Sequence, residues 1–439
     1  MSPSRWIRSR SRWRWVLWAA LAGGFLLVNF HRVSSAVLAD DLTRAFDTTG
    51  TELGLLHSSF FYIYAALQLP AGLLVDRAGV RRVAAAGLAI MSVGVVGFAL
   101  ADSLLAGFLA RALVGLGGSV LYIATLRFCA NWFRRDEFAT MTGWTVAAAG
   151  LGGVLATTPL ALAVVAVGWR GTLLATAVGG GSLAGVIYLL VRDRPRDGGF
   201  DPVEGADPPE RRADLATVAA NTRRVLRERE TWLLGVMLFF VIGTNFTVLG
   251  LWGVPYIAHV YDVSVARAST YVLLGNVGLL VGPPVMGTLS DRLGRRTDII
   301  LASTVAFTLA YGTVFAVVTP PLPVFGALLF LALFTNGGTL LAYTVAKERH
   351  ANSASGTVTG TINSIGYFGA AVFPALMGVA LDTYWTGTTI DGARVYTATG
   401  YRVAFGIATA AGCVAVCCAA WLHLRLDGAP SERAATADD

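Results

Sequence analysis

The sequence is poor in charged residues, in lysine and in cysteine. Only 14% of its 439 residues are charged, against about a quarter in soluble domains. This low charge argues against an ordinary soluble enzyme and against a disordered chain. Lys347 is the single lysine, and the four cysteines are too few for a disulfide scaffold. Because no histidine or carboxylate accompanies the cysteines, we expect thiols that pack against lipid or other helices, without a metal site or a cofactor.

Apolar residues are abundant, since 55% of the chain is hydrophobic, the mean hydropathy is +0.62 and 50 residues are glycine. A membrane-spanning helix needs about 20 mostly apolar residues, and small residues let such helices pack closely. The sequence therefore predicts an all-α membrane protein with twelve transmembrane helices, which we call spans 1 to 12. They are 15–37, 53–75, 83–102, 104–127, 138–166 and 168–191 in the first set, and 231–259, 266–290, 298–318, 322–346, 355–382 and 399–424 in the second.

One long polar segment, 192–230, divides the spans into two sets of six. It is rich in proline, arginine and aspartate, so we interpret it as a linker between an N-terminal half (15–191) and a C-terminal half (231–424), with polar tails at 1–14 and 425–439. Arginine is concentrated in the tails, the linker and alternate loops. Because cytoplasmic loops are enriched in basic residues, we expect cytoplasmic termini in the cell membrane. The net charge of +7 then reflects orientation and not nucleic-acid binding.

Two short segments repeat between the halves, with GLLVDRAGVRR at 72–82 and GTLSDRLGRRT at 287–297. This repeat indicates duplicated halves. A carboxylate at the end of span 2 can bond a neighbouring helix N-terminus or an arginine, which predicts a latch that holds one access state and breaks in the other. Alternatively, these residues only anchor helix ends and fix orientation. The predicted latch residues are Gly72, Asp76, Arg77, Gly79, Arg81, Arg82, Asp291 and Arg292.

These motifs resemble the major facilitator superfamily. Residues 72–82 match that family's pattern for the loop between its second and third helices, and Arg111, Gly115 and Gly117 resemble its second motif in span 4. The resemblance covers residues 10–425 and implies two pseudo-symmetric six-helix halves that rock around a central solute site. It implies a monomeric transporter that is not an enzyme, with a small solute and the lipid bilayer as partners and no nucleic acid.

Two arginines lie inside the predicted spans at a similar depth, Arg32 in span 1 and Arg111 in span 4. An arginine inside a membrane is costly, so it should face a cavity or a partner. Every aspartate and glutamate lies instead in a tail, in a loop or near a helix end. An anionic solute would supply the missing counter-charge. The alternatives are that Arg32 extends to the outer interface and that Arg111 makes a structural bond.

Other polar and aromatic side chains recur at helical spacing on spans 2, 7 and 11. Together they predict a shared polar cavity, although each one alone is more often a helix-packing residue than a ligand contact. The order of Tyr64, Gln68, Pro70 and Gly72 resembles a run in the branches of the superfamily that take up organic anions. The segment 30–34 and the turn Gly168-Trp169-Arg170 resemble bacterial nutrient importers. The predicted solute-binding residues are Arg32, Tyr64, Gln68, Arg111, Asn245, Trp252, Tyr256, Asn363 and Tyr367.

His31 is the one side chain near this predicted cavity that titrates near neutral pH. It is either the site of a coupling proton or a hydrogen-bonded packing residue. We predict a secondary active or facilitative transporter of a small anionic or carboxylate-bearing solute, such as an organic acid or an amino acid. The alternatives are a transporter-like solute sensor and an exporter of small amphipathic compounds.

Overall fold

The computed structural model describes residues 10–201, 203, 205–206, 220, 222–349 and 355–426. The first nine residues of the predicted N-terminal tail lie outside the described residues. So do residues 427–439 of the predicted C-terminal tail and much of the predicted linker between 202 and 221.

Helices occupy all twelve predicted spans, and several spans are interrupted. In the first half the helices are Arg10–Val33 and Ser35–Phe46 (span 1), Gly50–Ala78 (span 2), Val80–Leu100 (span 3), Leu104–Gly118 and Leu121–Trp132 (span 4), Phe138–Leu155 (span 5) and Thr158–Leu190 (the end of span 5 and span 6). In the second half they are Arg229–Thr247, the π-helix Val248–Trp252 and Gly253–Tyr261 (span 7), Val265–Leu293 (span 8), Arg296–Val317 (span 9), Leu322–Thr339 and Ala342–Glu348 (span 10), Ser355–Thr383 (span 11) and Ala398–Leu426 (span 12). Strands Thr389–Ile390 and Ala393–Arg394 form a small antiparallel hairpin between spans 11 and 12.

Gly168 separates spans 5 and 6 within one continuous helix assignment. Its φ of 74° and ψ of 161° are a conformation that glycine adopts without strain. Among the described residues, ten helices are long and apolar enough to cross a membrane, or eleven if the bent helix of span 2 is included. The two helical pieces before Gly168 form span 5 and provide the twelfth crossing. The predicted all-α fold with twelve transmembrane helices is confirmed.

The outer end of span 1 extends further than the sequence predicts. The helix ends at Phe46, so Asp40 and Asp41 lie inside the span and not at its end. The ring of Phe46 packs against Phe98 and Trp169, with centroids 6.3 and 6.4 Å apart. Because this apolar residue packs against spans 3 and 6, the helix continues past the two acidic residues.

Spans 2 and 11 bring the two halves into close contact. Gly54 lies against the backbone of Pro374 and Ala375, and Gly50 lies against Gly378. A side chain at Gly54 would collide with the carbonyl oxygen of Pro374. Backbones can approach this closely only where glycine leaves the space, so these glycines fix how the halves meet beside the central site.

At the end of the bundle opposite the chain termini, which we call the outer end, polar side chains join the two halves. There Asp382 of span 11 bonds to the start of span 2, and His259 of span 7 lies 3.2 Å from Asp40 of span 1. At the inner end, four ion pairs each join residues of one half: Arg14–Glu137, Asp76–Arg127, Arg296–Glu348 and Arg349–Glu230. The described structure is therefore closed at its outer end.

Candidate solute site

A cavity of about 220 Å³ lies between the halves and is lined by both of them. Spans 1, 2, 4 and 5 line it from the first half, and spans 7, 8, 10 and 11 line it from the second. Its polar and tyrosine lining consists of Asn29, Arg32, Tyr64, Tyr122, Asn276, Asn336, Tyr343, Asn363 and Tyr367.

Arg32 is the only charged side chain among the described residues that line this cavity, and it is 2% exposed. Its Nη1 donates to Asn29 Oδ1 at 3.1 Å and to the hydroxyl of Tyr367 at 3.2 Å. Its Nε and Nη2 have no hydrogen-bond partner among the described residues. Arg32 is thus held from one side and keeps two donors free, and it does not extend to the outer interface.

Four aromatic rings surround the Arg32 guanidinium. The distances from its Cζ to the ring centroids are 4.7 Å for Tyr64, 5.1 Å for Tyr367, 5.3 Å for Phe246 and 5.8 Å for Phe60. Such rings stabilise a cation through their negative faces but cannot neutralise it. The site therefore presents an oriented positive charge with no carboxylate in its described lining.

Gln68 and Asn363 bond to each other across the two halves. The Asn363 Nδ2 donates to Gln68 Oε1 at 3.0 Å, and the hydroxyl of Tyr343 donates to Asn363 Oδ1 at 2.6 Å. The Gln68 Nε2 also donates to the Tyr64 carbonyl at 3.3 Å. These predicted solute-binding residues therefore already have partners, and they link the halves beside the cavity.

Asn276 of span 8 offers a second free donor. It lines the cavity, is buried, and its Nδ2 has no hydrogen-bond partner among the described residues. Its Oδ1 faces Gly153 of span 5, where a side chain would collide with it. The second half therefore contributes one unpartnered N–H donor to the residues that line the cavity.

Three predicted solute-binding residues of span 7 do not line the cavity. Asn245 accepts from the Tyr311 hydroxyl at 2.9 Å. The Trp252 Nε1 donates to the Pro374 carbonyl at 3.1 Å, and the Tyr256 hydroxyl donates to the Val318 carbonyl at 2.7 Å. These side chains are bonded within the packing of the second half.

An irregular turn in span 7 accounts for Trp252 and Tyr256, but not for Asn245, which precedes it. The predicted face assumed a regular helix from Asn245 to Tyr256, but Val248–Trp252 forms a π-helical turn. An extra residue in one turn rotates the following side chains around the helix axis. The cavity is lined instead by Ile242, Phe246 and Leu249, which follow spacings of four and three residues.

Arg111 is 4% exposed and is not among the residues that line the cavity. On either side of Arg111 along the helix, Gly107 contacts Leu56 and Gly115 contacts Phe60 of span 2. Arg111 therefore lies opposite the turn of span 2 between Leu56 and Phe60. Its Nε and Nη2 have no hydrogen-bond partner among the described residues. Arg32 and Arg111, which were expected to face one cavity, therefore lie in separate environments.

His57 of span 2 occupies that turn opposite Arg111. It is buried, and neither of its ring nitrogens has a hydrogen-bond partner among the described residues. Its ring lies against Gly250, where a Cβ would be 3.0 Å from the His57 Cε1. His31, the predicted coupling residue, is also buried and outside the cavity lining, with its ring packed 5.2 Å from that of Phe30.

Sequence reasoning missed Asn29, Tyr122 and Tyr343 as cavity residues. Asn29 lies three residues before Arg32 on one helix face, so helical spacing could have identified it. Tyr343 follows the break in span 10 between Thr339 and Ala342, and no sequence signal fixes the direction of a helix after such a break.

The predicted latch residue Asp76 forms an ion pair with Arg127 of span 4, within the first half. Nearby, the backbone N–H of Arg81 donates to Asp193 Oδ1 at 2.7 Å. Gly79 has a φ of 85°, and a side chain there would collide with the same carboxylate. The loop is therefore fastened to the end of span 6 and to span 4 in this outer-closed state.

The remaining latch residues are less engaged. Gly72 has open space around it, and Arg77 and Arg82 are exposed. In the second copy Arg292 is exposed, and Asp291 lies 4.0 Å from Arg296 with three quarters of its side chain exposed. The two copies of the motif thus differ in how tightly their carboxylates are held.

Comparison with known proteins places the chain in a large family. The sequence model described as Major Facilitator Superfamily matches residues 19–374 and 236–438. The membrane sensor protein UhpC of Salmonella typhimurium is 26% identical over 393 residues, covering 85% of this chain and 87% of that protein. A probable hexose phosphate transport protein of Chlamydia pneumoniae is 22% identical over 397 residues, with coverage of 85% and 87%.

Among solved structures, the chain is similar to a bacterial homologue of the human lysosomal transporter Spinster in its inward-facing, occupied conformation. The TM-score is 0.74 at 19% sequence identity, and the match covers 96% of this chain and 99% of that one. At this level of identity the similarity establishes a shared fold.

Proposed function

Because the chain belongs to the major facilitator superfamily, we propose that it is a secondary active or facilitative transporter of a small anionic solute. The family consists of multi-pass membrane transporters and not of enzymes, as the sequence predicted. The proposed solute binds between the halves and crosses the cell membrane by alternating access. The observation that carries this proposal is the buried Arg32, which lines a cavity between the halves and has two donors without a partner among the described residues.

The chemistry of the cavity favours a single anionic group such as a carboxylate. Arg32 is the one cation of the described lining, and its planar guanidinium can donate to both oxygens of a carboxylate. The anionic end is therefore held by the first half. The neutral or polar remainder of the solute faces the second half, where Asn276 offers its free amide N–H. The similarity to a probable hexose phosphate transport protein supports an anionic solute.

Thermal stabilisation of the purified protein tests this proposal. The compounds compared are small anions, neutral compounds and cations. A ligand that binds only the folded state raises its apparent stability. We expect stabilisation by compounds with one anionic group, and none by matched cations. Stabilisation by cations alone would contradict the proposal.

Asn276 gives a separate prediction about the second half. Asn276→Asp keeps the size of the side chain but replaces a buried N–H donor with a carboxylate. Repulsion between the new carboxylate and the anion should weaken binding by about tenfold or more, since two like charges in a protein environment repel by about 4 kcal/mol at a separation of about 4 Å. Asn276→Ala, which only removes the donor, should have a smaller effect. Titration of both variants with the stabilising anion measures this, and equal affinities in all three proteins would refute the role.

His31 gives a prediction about energy coupling. No carboxylate lines the described cavity, so transport is expected to be uniport, exchange or dependent on His31. Any accumulation driven by a pH gradient should be lost in His31→Gln, while exchange of internal for external solute continues. Full gradient-driven accumulation by His31→Gln would show that another group carries the proton, and Asp40, paired with His259, would be the next to test.

A solute sensor is the second candidate function. The similarity to the membrane sensor protein UhpC favours it, and the predicted linker at 192–230 would be the segment through which it signals. A sensor binds solute at the same site without moving it across the membrane, so binding and flux must be measured separately.

A further inference from the structure

Asp382, at the outer end of span 11, joins the second half to the first. Its Oδ1 accepts from the backbone N–H of Gly50 at 2.7 Å, and its Oδ2 accepts from the N–H of Thr51 at 2.8 Å. The hydroxyl of Thr51 also donates to Oδ2 at 2.6 Å. One carboxylate thus takes three hydrogen bonds from the start of span 2.

The N–H groups of Gly50 and Thr51 are available to Asp382 because the helix's own cap bonds only the N–H groups of Thr49 and Glu52. Thr49 and Glu52 form a capping box, in which the Thr49 hydroxyl accepts from the Glu52 N–H and the Glu52 carboxylate accepts from the Thr49 N–H. The N–H groups of Gly50 and Thr51 remain. A negative charge at this position is also favoured by the helix dipole, so Asp382 completes the cap from the opposite half.

The local packing holds Asp382 in place for this contact. Gly378, one turn before it, lies against the backbone of Gly50 and permits the close approach. Arg394, on the hairpin after span 11, has its Nη1 3.7 Å from Asp382 Oδ1. The carboxylate is therefore presented by its own half and bonded by the other.

We propose that Asp382 is an outer latch that must release span 2 before the protein can open to the outside. The proposal rests on the alternating-access function proposed above. Spans 2 and 11 are antiparallel, and this pair of helices then has one carboxylate at each end. Asp76 of span 2 lies at the inner end, and Asp382 of span 11 lies at the outer end. In the outer-closed state Asp382 bridges the halves, while Asp76 is paired within its own half.

The consequence is an asymmetric effect of removing the carboxylate. In the outer-open state water replaces Asp382 at the two amides, so the loss of Asp382 weakens only the outer-closed state. Charge-assisted bonds are the stronger class of hydrogen bond. We therefore expect the ratio of outer-open to outer-closed molecules to rise about tenfold or more in Asp382→Ala.

The test measures the distance between spin labels at Asp102 and Thr319, which lie exposed in outer loops of the two halves. Both positions are changed to cysteine in the full chain, with the four native cysteines replaced by alanine. Asp382→Ala should shift the distribution to longer distances, and Asp382→Asn and Thr51→Val should shift it less. Asp391→Asn, which removes an exposed aspartate from the hairpin that follows span 11, is the matched control and should leave the distribution unchanged.

An unchanged distribution in Asp382→Ala and Asp382→Asn, or an equal shift in Asp391→Asn, would overturn the latch. If Asp382→Ala does not fold, the ratio of outer-open to outer-closed molecules in Asp382→Asn and Thr51→Val tests the latch. The measurement needs no solute, so it is separate from the proposed function. A sensor without solute flux could still show the shift, and a confirmed transporter could lack it.

Discussion

Arg32→Lys is expected to weaken solute binding by about 30-fold or more, although the substitution conserves the positive charge. Losing one charge-assisted hydrogen bond costs about 1.5–3 kcal/mol, and each 1.4 kcal/mol is about tenfold in affinity. Lysine lacks the planar fork that lets arginine bond both oxygens of an anion while a third nitrogen stays anchored. Here that anchor is the pair Asn29 and Tyr367.

The aromatic surroundings of Arg32 enlarge this effect. A guanidinium stacks on rings such as those of Tyr64 and Phe246, whereas the ammonium of lysine is compact and strongly hydrated. Titration of the stabilising anion into the purified variants measures the loss. Arg402→Lys is the matched control, because Arg402 is exposed and stacks on Phe315 away from the cavity. Unchanged affinity in Arg32→Ala would remove Arg32 from the solute site.

Asp76→Asn is expected to reduce initial uptake by about tenfold or more while membrane insertion remains normal. The substitution removes the charge that pairs with Arg127 in the outer-closed state. It also removes the carboxylate of the predicted latch, which would hold the inner end closed in the outer-open state. Initial uptake by vesicles with equal amounts of protein measures the effect.

Asp291→Asn is the matched substitution in the second copy of the motif. Its carboxylate is mostly exposed and lies 4.0 Å from Arg296, so its removal should reduce uptake by less than Asp76→Asn. Normal uptake by Asp76→Asn at equal expression would show that this loop only anchors the helix ends.

The fold could be predicted because hydropathy and the repeated motif are properties of the sequence itself. Each span needs a long apolar run, and the copies at 72–82 and 287–297 reveal the duplication. The outer end of span 1 was less predictable. Whether a helix continues past Asp40 and Asp41 depends on the packing of Phe46 against spans 3 and 6, which is a tertiary contact.

The cavity was predictable in part for the same reason. Arg32, Tyr64 and Tyr367 line it as the intramembrane charge and the helical spacing indicated. Trp252 and Tyr256 do not line it, because the π-helical turn at Val248–Trp252 changes the register of span 7, and Asn245 is bonded to Tyr311. Arg111 does not line the cavity, because whether it does so depends on the rotation of span 4 against span 2. The contacts of Gly107 and Gly115 reveal that rotation only in the structure.

Solute flux into proteoliposomes tests the central claim most directly. The anion that stabilises the purified protein is supplied outside vesicles that contain the same unlabelled compound, and its entry is followed in the wild type and in Arg32→Lys. A transporter built around Arg32 predicts rapid entry through the wild type and little through Arg32→Lys. Binding without entry would contradict transport and support a sensor, and entry of a cation, or equal entry through both proteins, would contradict the anion site.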